Sequence, residues 1–271
     1  MEAYVQHLKD AGKAGAAARV ETCMLALMPQ FGDLLPEDVT PMQSEAYARD
    51  RFAQGRKPST VHTELGYLRS GLMHGKRKRW IAEAPYIPLP HKSPPRDRWL
   101  SRDEARALID ACVMPHVKLF VVLALSTAGR PGAILDLTWS RVNLDLRILD
   151  LRDHDRAATP KGRAVVPIND MAYEALYEAR RGAVSPFVIE WGGEKVGSIK
   201  KGIKAAVSRA GVEPCTPNTL RHTAAVWMAQ SGVPMEKIAE YMGHSDSRTT
   251  QKHYARYSPA FLRDAAQALN L

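Results

Sequence analysis

A cluster of prolines divides this chain into two blocks. It consists of Pro85, Pro88, Pro90, Pro94 and Pro95. Proline cannot donate a backbone hydrogen bond, and it restricts the residue before it to extended conformations. The segment 85–97 is therefore predicted to be an extended linker. A chain of 271 residues is long enough to build one hydrophobic core on each side of it.

The first block, residues 1–84, has the pattern of a small helical domain. Apolar residues at helical spacing predict helices at 16–28, 43–54 and 59–74. The third of these places Leu65, Leu68 and Leu72 on one face. No strand pattern is visible before residue 140, so a helical domain is expected.

The second block mixes helices with a few short strands. Ser101 and Glu104 form a capping-box pattern that predicts a helix to Cys112, and the apolar stretch 117–126 predicts a buried helix. Alternating apolar residues predict strands at 148–151 and 164–168, with a third candidate at 187–190. Further helices are predicted at 170–181, 197–210, 218–230, 235–242, 248–257 and 259–269. The expected fold class is mainly α with a small three-stranded β-sheet.

Charge and composition indicate the class of partner. The net charge of +9 and the pI of about 9.5 favour a polyanionic partner, nucleic acid before membrane. No signal region and no run of about 18 apolar residues occurs, so a cytoplasmic protein is expected. The widely spaced cysteines predict neither disulfides nor a zinc site. Walker A and H-E-x-x-H motifs are absent, which predicts chemistry without metal, ATP or another cofactor.

Three residue types that suit phosphate chemistry follow one another in the last quarter of the chain. Arg221 can hold a phosphate through two donors, and His244 can donate to a phosphate oxygen or move a proton. The phenol of Tyr254 can attack phosphorus and form a covalent ester. Together they predict DNA strand cleavage without a metal. Alone, His244 would be interpreted as a helix cap and Tyr254 as a core residue, and His222 is expected to contact backbone.

Two upstream residues and a basic cluster could complete such a site. Arg130 lies between Gly129 and Pro131, where one helix ends and the next begins, and it can point toward a phosphate. Lys161 lies in a turn between two strands and can protonate a leaving group. The alternatives are a surface arginine and a solvated turn lysine. The basic run Lys76, Arg77, Lys78 and Arg79 can neutralise backbone phosphates or remain only solvated.

From about residue 16 to 260, the chain resembles the tyrosine recombinases of the phage integrase class, including Xer-type enzymes. In the first block, the resemblance rests on Lys57-Pro58-Ser59-Thr60-Val61 and Leu65-Gly66-Tyr67-Leu68-Arg69. In the second, it rests on Thr127-Ala128-Gly129-Arg130, on Lys161 with Arg163-Ala164-Val165-Val166-Pro167-Ile168, on Leu220-Arg221-His222-Thr223, on Met242-Gly243-His244-Ser245, and on Thr249-Thr250 with Tyr254.

The resemblance implies a separate role for each of three segments of the chain. Residues 1–84 would be the core-binding domain, 98–258 the catalytic domain, and 259–271 a helix that contacts a neighbouring protomer. No arm-binding domain is expected. The implied partners are double-stranded DNA, three further copies in a homotetramer on two duplexes, and a DNA-bending accessory protein as a further candidate. Without DNA, a monomer or weak oligomer is expected.

It also implies roles for individual residues. The nucleophile would be Tyr254, with Arg130, Arg221 and His244 on the phosphate and Lys161 as the proton donor. The implied DNA-binding residues are Lys57, Thr60, His62, Arg69, Lys76, Arg77, Lys78 and Arg79.

Two positions depart from the family pattern. Asn218 stands where the family usually has a histidine, and Ala133 where it often has an acidic residue. An amide can hydrogen-bond but cannot take a proton, so proton handling is the function in question. Two alternatives therefore remain open: a DNA-binding accessory protein without catalysis, and a DNA-relaxing topoisomerase with related chemistry.

Overall fold

The chain forms two compact units. The computed structural model describes residues 1–94, 97–152, 162–267 and 269, and the units are Met1–Arg96 and Asp97–Leu271. The boundary between them falls inside the proline-rich segment. The mainly helical architecture with small antiparallel sheets agrees with the predicted fold class.

The first unit is a bundle of four helices. Their bounds are Glu2–Asp10 (α1), Ala14–Phe31 (α2), Pro41–Ala53 (α3) and Pro58–Arg77 (α4), with a 3-10 turn at Pro36–Asp38. The three predicted helices correspond to α2, α3 and α4. Helix α1 was not predicted from the sequence, because it buries only Val5 and Leu8 and so has a short apolar stripe.

Two helices of this bundle begin at favourable N-terminal residues, and an ion pair joins α3 to α4. Thr40 and Gln43 form a capping box at the start of α3, and Pro58 occupies the first turn of α4, where its missing N–H costs nothing. Glu64 is buried against α3, where it accepts hydrogen bonds from Tyr47 Oη at 2.8 Å and from Arg51 at 2.6 and 3.0 Å.

The second unit alternates helices with two small sheets. Its helices are Arg102–Asp110 (α5), Pro115–Thr127 (α6), Pro131–Leu135 (α7), Asp170–Arg181 (α8), Lys200–Ala210 (α9), Pro217–Gln230 (α10), Met235–Met242 (α11), Ser247–Tyr254 (α12) and Arg263–Gln267 (α13). Its strands are Val142–Asn143 (β1), Ile148–Asp150 (β2), Val165–Pro167 (β3), Glu190–Trp191 (β4) and Glu194–Lys195 (β5).

The three-stranded sheet has a different third strand from the one predicted. Its order is β1-β2-β3, all antiparallel, so β1 takes the place expected for 187–190. Phe187 makes only an isolated bridge to Thr138. Gly192 and Gly193 both have positive φ, which closes a two-residue turn and pairs β4 with β5 instead.

Helix α6 is the centre of the second unit. From Leu119 to Thr127 every residue of the helix is buried, and the helix packs against α8 and α10. The start of the unit is fixed to α10, since the Leu100 N–H donates to Thr223 Oγ1 and Trp227 Nε1 donates to the Leu100 carbonyl, each at 3.0 Å. Helices α6 and α10 therefore form a rigid base, and the predicted arginines lie at or near their ends.

Candidate active site

The first arginine is positioned by a sharp turn after α6. Helix α6 ends with Ala128 in a left-handed conformation, and Arg130 is the N-cap of α7, which begins at Pro131. The half-buried Arg130 guanidinium donates to the carbonyl oxygens of Gly162 and Gly243, the latter at 3.3 Å. The expectation that one helix ends and another begins around Arg130 is confirmed.

The second arginine lies beside the first and is buried. Arg221, in the first half of α10, is 9% exposed. It donates to the carbonyl oxygens of Ala128 and Met242, the latter at 3.0 Å, and its Nη2 lies 3.0 Å from His244 Nε2. Burial and the neighbouring charge of Arg130 lower the pKa of Arg221 to about 10, so it remains a cation at neutral pH. Two adjacent guanidinium groups in a partly desolvated setting favour an anion.

His244 follows the end of α11 and bridges to α12. Gly243 ends α11 in a left-handed conformation, and His244 Nδ1 lies 2.7 Å from Thr250 Oγ1. Arg221 is only a donor, so His244 Nε2 accepts and Nδ1 carries the hydrogen toward Thr250. Burial and the charges of Arg221 and Arg130 lower the pKa of His244 to about 4, which keeps the imidazole neutral at pH 7.

Tyr254 is the last residue of α12 and is only 7% exposed. Its Oη lies 3.3 Å from His222 Nδ1, and the two rings are 5.2 Å apart. Burial raises the pKa of the Tyr254 phenol, and the charge of Arg221 opposes that rise. The expectation of a backbone role for His222 was wrong, because its ring faces the Tyr254 hydroxyl.

An acidic residue that sequence reasoning missed lies behind this pair. Asp97 accepts from Tyr257 Oη at 2.5 Å and pairs with Arg256 at 2.6 Å. Its Oδ1 is 3.6 Å from His222 Nε2. The hydrogen bond from Tyr257 and the charge of Arg256 lower the pKa of Asp97, so it is a carboxylate at neutral pH. No sequence signal pointed to Asp97, since it ends the linker, far along the chain from its partners.

Gly162 accepts a hydrogen bond from Arg130 and lies close to the backbone of Gly243. Lys161 itself lies outside the described residues. A Cβ on Gly162 would stand 2.6 Å from the Gly243 carbonyl oxygen, and a Cβ on Gly243 would stand 2.8 Å from the backbone carbon of Arg163. Both positions therefore require glycine for the backbones to approach. Arg163 also pairs with Asp136 at 2.9 Å.

The two departures from the family pattern occupy different environments. Asn218 is exposed in the first turn of α10, one turn before Arg221. Ala133 is buried within α7, at 1% exposure. A carboxylate at position 133 would be buried, whereas position 218 faces solvent in the first turn of the helix that carries Arg221.

The predicted DNA-binding residues lie on and beside α4, in the first unit. His62, Arg69 and Lys76 recur every seven residues and so share one face of the helix. His62 Nδ1 lies 2.8 Å from the Pro90 carbonyl oxygen, and Lys76 pairs with Glu83. Six of the eight predicted residues are exposed: Lys57, Thr60, Arg69, Arg77, Lys78 and Arg79.

Neither a metal-binding cluster nor a membrane-crossing helix occurs among the described residues. No group of three or more histidine, cysteine, aspartate or glutamate side chains in this part of the chain is arranged to hold a metal ion. None of its helices has both the length and the apolar character needed to cross a membrane.

Comparison with known proteins identifies relatives across most of the chain. The integrase of Salmonella phage P22 is 29% identical over 231 residues, covering 79% of this chain and 59% of that protein. Tyrosine recombinase XerC of Thermodesulfovibrio yellowstonii is 26% identical over 275 residues, covering 92% of this chain and 88% of the relative. The chain thus spans less than two thirds of the phage P22 relative but most of XerC.

Solved structures share the fold. Residues 75–356 of lambda integrase, as a dimer bound to a COC′ core site, match with a TM-score of 0.78 at 16% identity, covering 92% of this chain and 94% of that one. The Tn1549 transposon integrase with circular intermediate DNA matches with a TM-score of 0.81 at 16% identity, covering 98% of both chains. The model of the phage integrase family matches residues 98–260. The chain therefore belongs to the phage integrase family, the family of the tyrosine recombinases.

Proposed function

We propose that this protein is a site-specific DNA recombinase that cuts and rejoins DNA through a 3′-phosphotyrosine intermediate, without metal or ATP. The observation that carries the proposal is the meeting of Arg130, Arg221 and His244 around the turns that end α6 and α11, with Tyr254 on the adjoining helix. These groups supply anion binding, hydrogen bonding and a nucleophile in one place.

The two arginines would bind the scissile phosphate. Each already has its guanidinium oriented by backbone carbonyls, which reduces the cost of ordering it when DNA arrives. Their charges would offset the negative charge that grows on the non-bridging oxygens in the transition state. The neutral imidazole of His244 would add a hydrogen bond.

Covalent chemistry would begin with attack by Tyr254 Oη on phosphorus. The Oη–P bond forms as the bond to the 5′-oxygen breaks, and Lys161 protonates the departing oxygen. A 5′-hydroxyl from a partner strand then attacks the phosphotyrosine and restores the tyrosine. Phosphodiester energy is conserved in the ester, so no ATP is consumed.

Double-stranded DNA is the proposed substrate, held by both units. Residues 1–84 would act as the core-binding domain, with the exposed cations of α4 on backbone phosphates. Residues 98–258 would act as the catalytic domain, joined by the 85–97 linker. A DNA-bending accessory protein would be a further partner.

We also propose that four protomers assemble on two duplexes through the C-terminal segment 259–271. Phe261, Leu262 and Leu269 are 47%, 65% and 81% exposed, so these apolar side chains are available to a neighbour. A lambda integrase tetramer bound to a Holliday junction shares this fold, with a TM-score of 0.79. Phe261→Ala should reduce the DNA-bound assembly that light scattering measures, whereas Leu25→Ala, which removes another exposed apolar side chain, on α2, should not. Unchanged assembly in Phe261→Ala would refute this contact.

Covalent trapping tests the main proposal. The protein is incubated without metal on a nicked suicide duplex carrying the DNA that flanks its gene, and in parallel on a randomised duplex pool. Cleavage releases a short strand that diffuses away, so the adduct cannot rejoin. A shifted band on a denaturing gel is expected for the wild type, and Tyr254→Phe should abolish it. Adduct formation that survives this substitution would refute the assignment of the nucleophile.

A second candidate function is a DNA-binding accessory protein without catalysis. It is favoured by Asn218, which cannot move a proton. It predicts specific binding with no adduct, and Asn218→His would then be the variant expected to restore cleavage. A topoisomerase would instead relax supercoiled plasmid without a specific site.

A further inference from the structure

His222 lies between the proposed nucleophile and a carboxylate. On one side, its Nδ1 is 3.3 Å from Tyr254 Oη, and on the other its Nε2 is 3.6 Å from Asp97 Oδ1. The three groups form a line that runs from carboxylate through imidazole to phenol. This is the arrangement in which a carboxylate orients a histidine toward a nucleophile's proton.

The surroundings of the ring favour one tautomer. His222 Nε2 is buried and finds no hydrogen-bond partner among the described residues, while the Asp97 carboxylate faces it just beyond hydrogen-bond range. A hydrogen on Nε2 is attracted to that carboxylate, and a lone pair there is repelled by it. With the hydrogen on Nε2, the Nδ1 lone pair faces the Tyr254 hydroxyl and can accept its proton.

The charged and titratable groups facing the ring come from three segments. They are Asp97 before α5, His253 and Tyr254 on α12, and Arg256 and Tyr257 in the following 3-10 turn. Burial lowers the pKa of His222, and Asp97 opposes that shift. The imidazole is therefore neutral at pH 7, the state in which it can accept a proton.

We infer that His222, oriented by Asp97, takes the proton of Tyr254 as Oη attacks the scissile phosphate, a task that the amide of Asn218 cannot perform. This inference rests on the proposed function. As the Oη–P bond forms, the Oη proton moves to Nδ1, and the imidazolium is stabilised by the Asp97 carboxylate. The bond to the 5′-oxygen breaks, and that oxygen takes its proton from Lys161. On rejoining, the imidazolium returns its proton to the phenolate.

Asp97 has a second task that must be separated from the first. It also binds Arg256 and Tyr257, two and three residues after Tyr254, so its loss would release the segment that follows the nucleophile. The decisive substitution is therefore His222→Gln, which keeps a hydrogen-bonding side chain but cannot take a proton. The matched control is His253→Gln, an exposed imidazole beside Tyr254.

The experiment measures single-turnover adduct formation on the trapping duplex, once with a normal phosphodiester and once with sulfur as the bridging 5′ atom. Sulfur leaves without protonation, so it removes the need for a proton donor but not for a base on the tyrosine. His222→Gln should slow adduct formation about 10²–10⁴-fold on both substrates, the usual contribution of a general base. His253→Gln should stay near the wild-type rate.

The pH profile supplies a second readout, which a merely structural role would not move. Because burial lowers the pKa of His222 from its ordinary value, the wild-type rate should rise with pH and level off below neutral pH. The rate of His222→Gln should keep rising above pH 7, because the phenol itself must then ionise. If His222→Gln fails to fold, the wild-type profile still decides, since a rate that does not level off refutes the inference.

Three other outcomes would overturn it. A wild-type rate in His222→Gln removes His222 from the chemistry while leaving the recombinase assignment intact. Rescue of His222→Gln by the sulfur substrate would place the histidine on the leaving group instead. Failure of the wild type itself to form an adduct would refute the proposed function and this inference with it.

Discussion

The hydroxyl of Thr250 should control the rate of DNA cleavage through His244. Thr250 is fully buried, and its Oγ1 lies 2.7 Å from His244 Nδ1. A hydroxyl can donate or accept, so it supports the ring when Nε2 accepts from Arg221 and also when Nε2 turns donor toward a phosphate. Thr250→Val keeps the shape of the side chain and removes this partner.

The magnitude follows from the hydrogen bond that is lost. In the Thr250→Val variant without DNA, the half-buried His244 ring can rotate and hydrogen-bond to water, but the transition state requires one ring orientation. Leaving a buried polar group without its partner costs about 1–3 kcal/mol. At about 1.4 kcal/mol per tenfold change, Thr250→Val should slow adduct formation about 5–150-fold. The assay is single-turnover trapping at saturating protein, with thermal unfolding measured in parallel.

Thr250→Ser separates the hydroxyl from the methyl group. It should cleave near the wild-type rate and lose some stability, because a small void replaces the methyl group. If Thr250→Val cleaves within twofold of the wild type, the reasoning is wrong. A serine variant as slow as the valine variant would show that packing, not the hydroxyl, sets the rate.

Three more predictions concern stability and pH. Gly243→Ala should lower the free energy of unfolding by at least about 1–2 kcal/mol, because residue 243 has a left-handed backbone, and it should also slow adduct formation. Gly182→Ala should have neither effect, because a Cβ at position 182 would have no neighbouring atom within 4 Å. Glu64→Ala should lower the unfolding free energy by about 3–5 kcal/mol in urea titrations, because it leaves the largely buried Arg51 guanidinium, 13% exposed, without its carboxylate. Glu21→Ala, in an exposed pair, should change it by under about 1 kcal/mol. The pKa of His244 falls to about 4 on folding, from an unfolded value of about 6.5, so its contribution to stability is present above pH 6.5 and is lost as pH falls toward 4. His244→Gln should flatten the pH dependence of unfolding over that range, and an unchanged slope would contradict the assignment.

Much of the candidate site could be predicted because its residues stand next to local signals. Gly129 and Pro131 mark the turn that places Arg130, and Gly243 marks the helix end that places His244. These signals act over a few residues, so they can be read without the fold. Their local structure is as expected, while the position of Lys161 lies outside the described residues.

The contacts behind these residues could not be predicted in the same way. Asp97 meets His222 and Tyr257 only after the second unit has folded, and nothing within a few residues of Asp97 indicates them. Thr250 looked like part of a motif, but its bond to His244 depends on how α12 packs against α11. The third strand was assigned wrongly for a related reason: strand pairing is decided by turns such as Gly192-Gly193 and by neighbours distant in sequence.

The arginines are held mainly by backbone carbonyls rather than by acidic side chains. Arg130 donates to Gly162 and Gly243, and Arg221 to Ala128 and Met242. Any residues that form the same turns present the same carbonyls, so the arginine positions depend on turn geometry more than on the chemistry of neighbouring side chains. Carbonyl oxygens orient a guanidinium without cancelling its charge, as a carboxylate would. The two cations therefore keep their charge for the phosphate. Among the residues whose carbonyls accept from them, the strictest sequence requirement falls on the glycines, where a Cβ would prevent the backbones from meeting.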